Sequence, residues 1–298
     1  MTVIRCQNVT KSYGRNKILN NISFQIDKNK ITGVIGPNGV GKTTLLRIIA
    51  GYIKKTSGEI KVFSEDPFQS LTVSANTIFI SDQMMLPPTL TLSEIIKSSS
   101  QFYQNFDIDL AQKLFDYFPL KKVQYYDKLS KGMRSTFQAI IEIAARCPLT
   151  IFDEPTTGMD TGVRKDFYRA LLKDYIAHPR TILISSHYLN EMEDLLEDVL
   201  VLKEGKIRLH LSISEMKEWA IGFRGDETTL HKWIKDNKIL HTQEIGKYEK
   251  YVVLKNDFSE EQLYQARQDG INISFVSPSD LSVYLTDENR GGIDHVFQ

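Results

Sequence analysis

The sequence predicts an α/β protein: a parallel sheet covered by helices on both faces, followed by a smaller α+β domain. Three observations carry this prediction. Short apolar strand segments alternate with helically spaced runs through the first two thirds of the chain. A glycine-rich turn, Gly36 to Gly41, joins one of those strands to one of those helices. Near Leu211 the charge balance reverses: residues 211–298 carry 10 Lys+Arg and 15 Asp+Glu, whereas residues 1–210 carry 27 and 22. The expected domains are therefore 1–211 and 212–298. In a chain of 298 residues both are long enough to bury a core.

Taken in order, Val3-Ile-Arg-Cys6, Ile22-Ser-Phe-Gln-Ile26 and Ile31-Thr-Gly-Val-Ile35 read as strands, the second with period-two alternation. Lys42 to Ala50 has helix spacing and stops at Gly51, a suitable C-terminal cap. Leu92 to Phe118 is helical and polar, broken by Phe106-Asp-Ile-Asp109. Three helix-to-strand steps follow: Gly132–Arg146 into Leu149–Phe152, Gly162–Ala177 into Thr181–Ser185, and Leu189–Glu197 into Val199–Leu202. Alternation of this kind implies parallel strands buried on both faces. The tail reads βαββαβ: Ile221–Phe223, Thr228–Lys235, Leu240–Ile245, Tyr251–Leu254, Ser259–Asp269 and Asn272–Val276.

Composition excludes several classes of function. With 37 Lys+Arg balancing 37 Asp+Glu, there is no basic footprint for nucleic acid, and none is expected as a partner. Cys6 and Cys147 stand alone, outside any metal-binding or disulfide spacing, which suits a reducing compartment. No segment approaches the ~20 apolar residues of a membrane-spanning helix, and Met1–Arg5 lacks the layout of a signal peptide. A cytoplasmic polypeptide is expected. If it acts at a membrane, another chain supplies the spans.

Two motifs carry chemistry. Gly36-Pro37-Asn38-Gly39-Val40-Gly41-Lys42-Thr43 fits G-x4-G-K-[ST] between a strand and a helix. Such a loop turns backbone N–H groups around phosphate oxygens, with the helix N-terminus behind them. Lys42 is expected on the β- and γ-phosphates, Thr43 on Mg²⁺ and Thr44 near the α-phosphate. The plainer reading is a glycine turn. In the second motif the strand Leu149–Phe152 ends in Asp153-Glu154. Asp153 is the expected metal-side acid and Glu154 the general base that polarises a water. A solvated or helix-capping pair is the alternative.

Together these residues resemble the ATP-binding cassette (ABC) ATPases over roughly residues 2–210, and further motifs occur in the family's order. Tyr13 matches the aromatic that stacks on adenine. Gln83 matches the Q-loop glutamine that touches Mg²⁺ or the attacking water. Ser130-Lys131-Gly132-Met133 stands where the signature serine, two glycines and glutamine belong, so Lys131 and Met133 are departures. Asp160 matches the D-loop and His187 the switch histidine on the γ-phosphate. The resemblance implies an ABC nucleotide-binding domain, with a P-loop parallel-sheet core, an antiparallel β subdomain and a helical subdomain. It implies ATP and Mg²⁺ as cofactors, with Thr43, Gln83 and Asp153 on the metal. It also implies a head-to-tail dimer with a second cassette, the signature acting in trans because a chain's own signature does not reach its own phosphate loop.

One cassette without spans is similar to the separate ATPase subunit of a bacterial exporter, of the bacitracin, lantibiotic and phenol-soluble modulin kind. That implies an integral-membrane transporter subunit as partner and a peripheral location at the inner face of the cell membrane. A nucleotide-dependent switch with little hydrolysis, or an ABC ATPase acting on ribosomes or DNA, are the alternatives. Met84, Met85, Leu86, Pro87, Pro88 and Leu90 form an apolar stretch that suits either a docking groove for the membrane partner or an internal core edge. Tyr103, Phe106 and Phe115 are expected in the core of the helical subdomain, and Trp219 and Trp233 as packing residues.

Overall fold

The computed structural model describes residues 1–80, 86–235, 237–246 and 248–286. In order the elements are β1 (Thr2–Tyr13), β2 (Asn16–Asp27), β3 (Ile31–Ile35), α1 (Lys42–Ile49), β4 (Ser57–Val62), α2 (Leu71–Asn76), β5 (Thr77–Ile80), α3 (Leu92–Phe102), α4 (Ile108–Tyr117), α5 (Lys131–Ala145), β6 (Leu149–Asp153), α6 (Thr161–Ala177), β7 (Thr181–Ser186), β8 (Asp198–Lys203), β9 (Lys206–Ser212), α7 (Ile213–Trp219), β10 (Ala220–Asp226), α8 (Glu227–Ile234), β11 (Ile239–Ile245), β12 (Glu249–Lys255), α9 (Glu260–Gln268), β13 (Asn272–Phe275) and α10 (Pro278–Thr286). They divide into two compact units. The first comprises Met1–His187 with Asp194–His210, and the second Tyr188–Glu193 with the chain from Leu211 onward.

In the first unit the central sheet has the order β5-β6-β7-β3-β8-β9, parallel from β5 to β8. Every residue of β3 and β7 is buried, as two-sided covering requires of near-continuous apolar strands. A separate antiparallel sheet, β2-β1-β4, packs its apolar side into the same large core as α1. The α3–α5 region encloses its own core, in which Phe115 and Phe137 meet edge to face. Tyr103 and Phe106 pack against that core, and so do the partly buried Leu86 and Leu90, while Pro87 and Pro88 are exposed. Met84 and Met85 lie outside the described residues.

The helix expected over Leu189–Glu197 does not form; only a 3-10 turn, Glu193–Leu195, interrupts this loop. Leu189, Met192, Leu195 and Leu196 are all buried, which accounts for the helix-like spacing. The segment, however, divides between the two units at Glu193 and Asp194, so its apolar residues do not share one helical face.

In the second unit the antiparallel sheet β11-β12-β10-β13 is covered by α8 and α9 over a core of Phe223, Leu230, Val252, Leu254 and Leu263. Trp233 packs there and its indole N–H donates to Asp269 at 3.1 Å. Both cysteines are buried, and burial pushes the Cys147 thiol up to about 12, so neither is a nucleophile at neutral pH.

One buried acid stands out. Glu142 on α5 is 3% exposed and its Oε1 accepts the N–H of Ile80, at the end of edge strand β5, at 3.0 Å. Burial raises its carboxyl well above the usual carboxylate range, outweighing that hydrogen bond, and the neighbouring Asp153 pushes the same way. Between the ordinary and the raised value the native state holds the extra proton, so this group's contribution to stability declines as pH rises. Glu142→Gln is expected to keep the acceptor and remove the dependence. In urea unfolding, the stability of the variant relative to the parent should increase between about pH 5 and about pH 8. A difference that does not change with pH would remove the buried proton from the account.

Candidate active site

Lys42 opens α1 behind a loop whose shape only glycine permits at two points. Gly41 has φ 111°, and a Cβ there would press on Leu19 and Ile18. A Cβ on Gly36 would collide with the Leu202 carbonyl. The Lys42 side chain is buried, with Nζ donating to the carbonyls of Gly36 at 2.8 Å and Pro37 at 3.2 Å, and 3.1 Å from Glu154 Oε1.

Asp153 and Glu154 arrive at the end of β6, beside β7, where Asp153 pairs in register with Ser185. The Ser185 hydroxyl donates to Asp153 Oδ1 at 2.6 Å and accepts the Glu154 N–H at 2.9 Å. Glu154 is left-handed, φ 48°, a conformation that costs a non-glycine residue energy and persists only when its surroundings over-determine it. Its N–H is held by Ser185, and its carbonyl accepts both the backbone N–H and the hydroxyl of Thr157, at 3.1 and 2.9 Å. The carboxylate stands between Lys42 and His187, whose Nδ1 is 3.9 Å from Oε2.

These groups surround a cavity of about 500 Å³ lined by Tyr13, Asn38, Gly39, Gly41, Lys42, Thr43, Thr44, Asp153 and Glu154. Gly36, Pro37 and Val40 complete the loop rather than the wall, and Val40 is a core residue. The Tyr13 ring is half exposed, with Lys11 Nζ 4.7 Å from its centroid. The Ser130 hydroxyl caps α5 by accepting the Met133 N–H at 3.3 Å. A Cβ on Gly132 would collide with the Gly158 carbonyl, so glycine there is a packing requirement. Met133 packs on the helical core. Asp160 is exposed at the start of α6 and makes no side-chain capping bond. Gln83 lies outside the described residues.

Lys131 also lines this cavity, whereas Ser130, Gly132 and Met133 do not. Ile18, Arg47, Thr157 and Ser185 are wall or supporting residues outside the sequence motifs. Arg47 lies one turn after Thr43 on α1, a spacing that was available. Thr157 and Ser185 owe their places to the loop after β6 and to the β6–β7 pairing.

An ABC transporter family profile matches residues 19–157. The lantibiotic transport ATP-binding protein SrtF of Streptococcus pyogenes is 30% identical over 225 residues, 70% of this chain and 90% of its own length. The chain belongs to the ABC transporter ATPase family. This ABC ATPase is also 27% identical to the bacitracin transport ATP-binding protein BcrA of Bacillus licheniformis, over 91% of the chain and 84% of that protein. In fold it is similar to a dimeric bacterial ABC transporter cassette, with a TM-score of 0.60 and 21% identity over 70% of this chain and 98% of that one. ABC ATPases bind and hydrolyse ATP, and the cavity between Tyr13 and Glu154 has the loop and the cation that a polyphosphate needs.

Ser185→Ala tests the support beneath the two acids. The substitution leaves the Glu154 N–H without its acceptor and Asp153 without its donor. It should cost about 1–3 kcal/mol of stability in denaturant unfolding and lower ATP turnover by about tenfold. Unchanged turnover would show that Asp153 and Glu154 hold their places without it.

Proposed function

We propose that this ABC ATPase is the ATP-hydrolysing subunit of an exporter for a peptide or an antimicrobial amphipathic compound, working through a separate integral-membrane subunit. The observation that carries the hydrolytic part is the placement of Glu154 in the wall of the phosphate cavity between Lys42 and His187. The export part rests on likeness to proteins named for lantibiotic and bacitracin transport. No helix among the described residues is long and apolar enough to cross a membrane, which fits a subunit peripheral to the inner face of the cell membrane.

In this reading Tyr13 packs on adenine and the loop from Gly36 to Thr44 cradles the phosphates. Lys42 exchanges its carbonyl and carboxylate partners for β- and γ-phosphate oxygens. Glu154 takes the proton of the attacking water, and His187 donates to the γ-phosphate. Mg²⁺ would be held by the Thr43 hydroxyl, the Asp153 carboxylate and the Gln83 amide, hard oxygen donors of the kind it takes. The Asp153 carboxylate, already oriented by Ser185, fits that role. When bound, the metal supplies charge neutralisation on the phosphate oxygens.

A second cassette, as in the dimeric relative, would present its Ser130 and Gly132 to the γ-phosphate, with Asp160 at the interface. Residues 212–298 act as an accessory domain. Closure on ATP and release after hydrolysis would turn phosphate chemistry into motion of the membrane subunit.

The test is Mg²⁺-dependent phosphate release by the purified chain, together with the identity of what co-purifies from membranes. Turnover that rises with dimerisation, plus a hydrophobic integral-membrane subunit, supports the proposal. Bound nucleic acid, or ATP binding without any turnover in the presence of the partner, overturns it.

A further inference from the structure

We propose that Lys11 is a positioning residue for the base: its ammonium holds the Tyr13 ring from behind, so that it sets ATP affinity through adenine rather than through the phosphates. This deepens the reading of Tyr13 as the adenine platform and rests on it.

Tyr13 has little else to hold it. It is the last residue of β1 and is followed by Gly14, left-handed at φ 58°. Its side chain is half exposed. Among the described residues that side chain makes no hydrogen bond, and its ring interaction is with Lys11, whose Nζ stands 4.7 Å from the centroid. An unheld ring turns about its side-chain bonds, and that freedom is lost when a base stacks on it. A cation drawn to one face of the ring removes part of the freedom beforehand.

Lys11 is itself fixed. Its Nζ donates to the Lys54 carbonyl at 2.7 Å. The stretch carrying that carbonyl is tied back to β1 on either side of the lysine. The Thr56 N–H donates to the Thr10 carbonyl at 2.8 Å, and the Thr56 hydroxyl accepts the Ser12 N–H at 3.0 Å. Among the described residues no carboxylate competes for the ammonium. It is shared between a carbonyl and a ring.

Sidedness decides the role. Tyr13 lines the phosphate cavity together with Ile18, and Lys11 does not. The ammonium therefore lies against the face of the ring turned away from the cavity. The face toward the cavity is left for a base.

The experiment measures KM and kcat for ATP hydrolysis by the full chain. Beside them it measures affinities for a β,γ-imido ATP analogue and for inorganic triphosphate, both with Mg²⁺. Lys11→Met keeps the stem and removes the charge; Lys11→Arg keeps a cation that also packs on aromatic faces. The methionine variant is expected to raise KM and weaken binding of the analogue about two- to fivefold, with kcat and triphosphate affinity unchanged, and arginine restores both. Combined with Tyr13→Leu, the same lysine substitution is expected to cost nothing further, because the ring through which it acts is gone. Unchanged analogue affinity in Lys11→Met overturns the proposal. So does an equal loss for analogue and triphosphate, or an equal loss with and without Tyr13→Leu. Tyr13→Leu alone separates the two levels. If it binds the analogue as the parent does, the adenine reading itself has failed; if it binds weakly while Lys11→Met is unaffected, only the role of the lysine falls.

Discussion

Phosphate release by Glu154→Gln is expected to fall by about two to four orders of magnitude, with ATP bound at least as tightly as by the parent. The substitution is nearly isosteric. The strained backbone of residue 154 keeps its bonds to Ser185 and Thr157, because these are made by the main chain and by partners that do not change. What disappears is the charge. An amide has no basic site for the proton of an attacking water, so the chemical step loses its acceptor. Binding moves the other way. In the parent, Glu154 Oε1 holds Lys42 Nζ at 3.1 Å, and the carboxylate repels phosphate oxygens. The neutral variant frees the lysine and removes the repulsion. The outcome to measure is multiple-turnover phosphate release beside nucleotide affinity and sedimentation, with the ATP-bound variant accumulating as a closed dimer. Release within about threefold of the parent would take Glu154 out of the base role.

That prediction uses residues the sequence makes plain, and the reason is local. Gly36 to Thr43 and Leu149 to Glu154 each hold their chemistry within one strand and the turn after it, so spacing alone places the side chains. The strands β3, β6, β7 and β8 were legible for a related reason: buried on both faces, they are apolar almost throughout. Long β1 was visible only from Val3 to Cys6. Irregular pairing between Cys6 and Val9, with Asn8 at φ 51°, breaks the alternation beyond that point. The four residues of β5 and the polar β4 gave no periodic signal.

Ser185 illustrates the other limit. Nothing in Thr181–Ser186 distinguishes its hydroxyl from that of Ser186. Its role follows from β7 lying beside β6, a pairing across 32 residues. Lys131 is similar: Gly132 against Gly158 is a contact between segments that no motif joins. The missing helix at Leu189–Glu197 shows periodicity misleading in the opposite direction, since burial at helical spacing was real but divided between two units.

Lys42→Ala is expected to abolish turnover and to weaken ATP binding by more than about tenfold, the effect of removing a charge-assisted contact from a largely desolvated site. Lys42 is 5% exposed and its ammonium serves three oxygens at once. Alanine leaves the Gly36 and Pro37 carbonyls facing the phosphates with nothing positive between them. Arginine is no substitute, because its planar fork does not fit a slot shaped for a single nitrogen between two carbonyls. Loss of the fold is a separate matter, and the ion pair with Glu154 distinguishes it. In Lys42→Ala the half-buried Glu154 carboxylate loses its cation, whereas in the double variant with Glu154→Gln there is no stranded charge. Stabilities from denaturant unfolding should therefore be non-additive. The double variant is expected to be more stable than the sum of the singles implies, by about 0.5–3 kcal/mol. ATP affinity recovers only what relief of the Glu154 repulsion supplies, because neutralising Glu154 adds no positive charge for the phosphates. Stability that recovers while binding stays more than about tenfold weaker than that of Glu154→Gln identifies Lys42 as a phosphate ligand in its own right; binding equal to that of Glu154→Gln would reduce it to the counter-ion of Glu154.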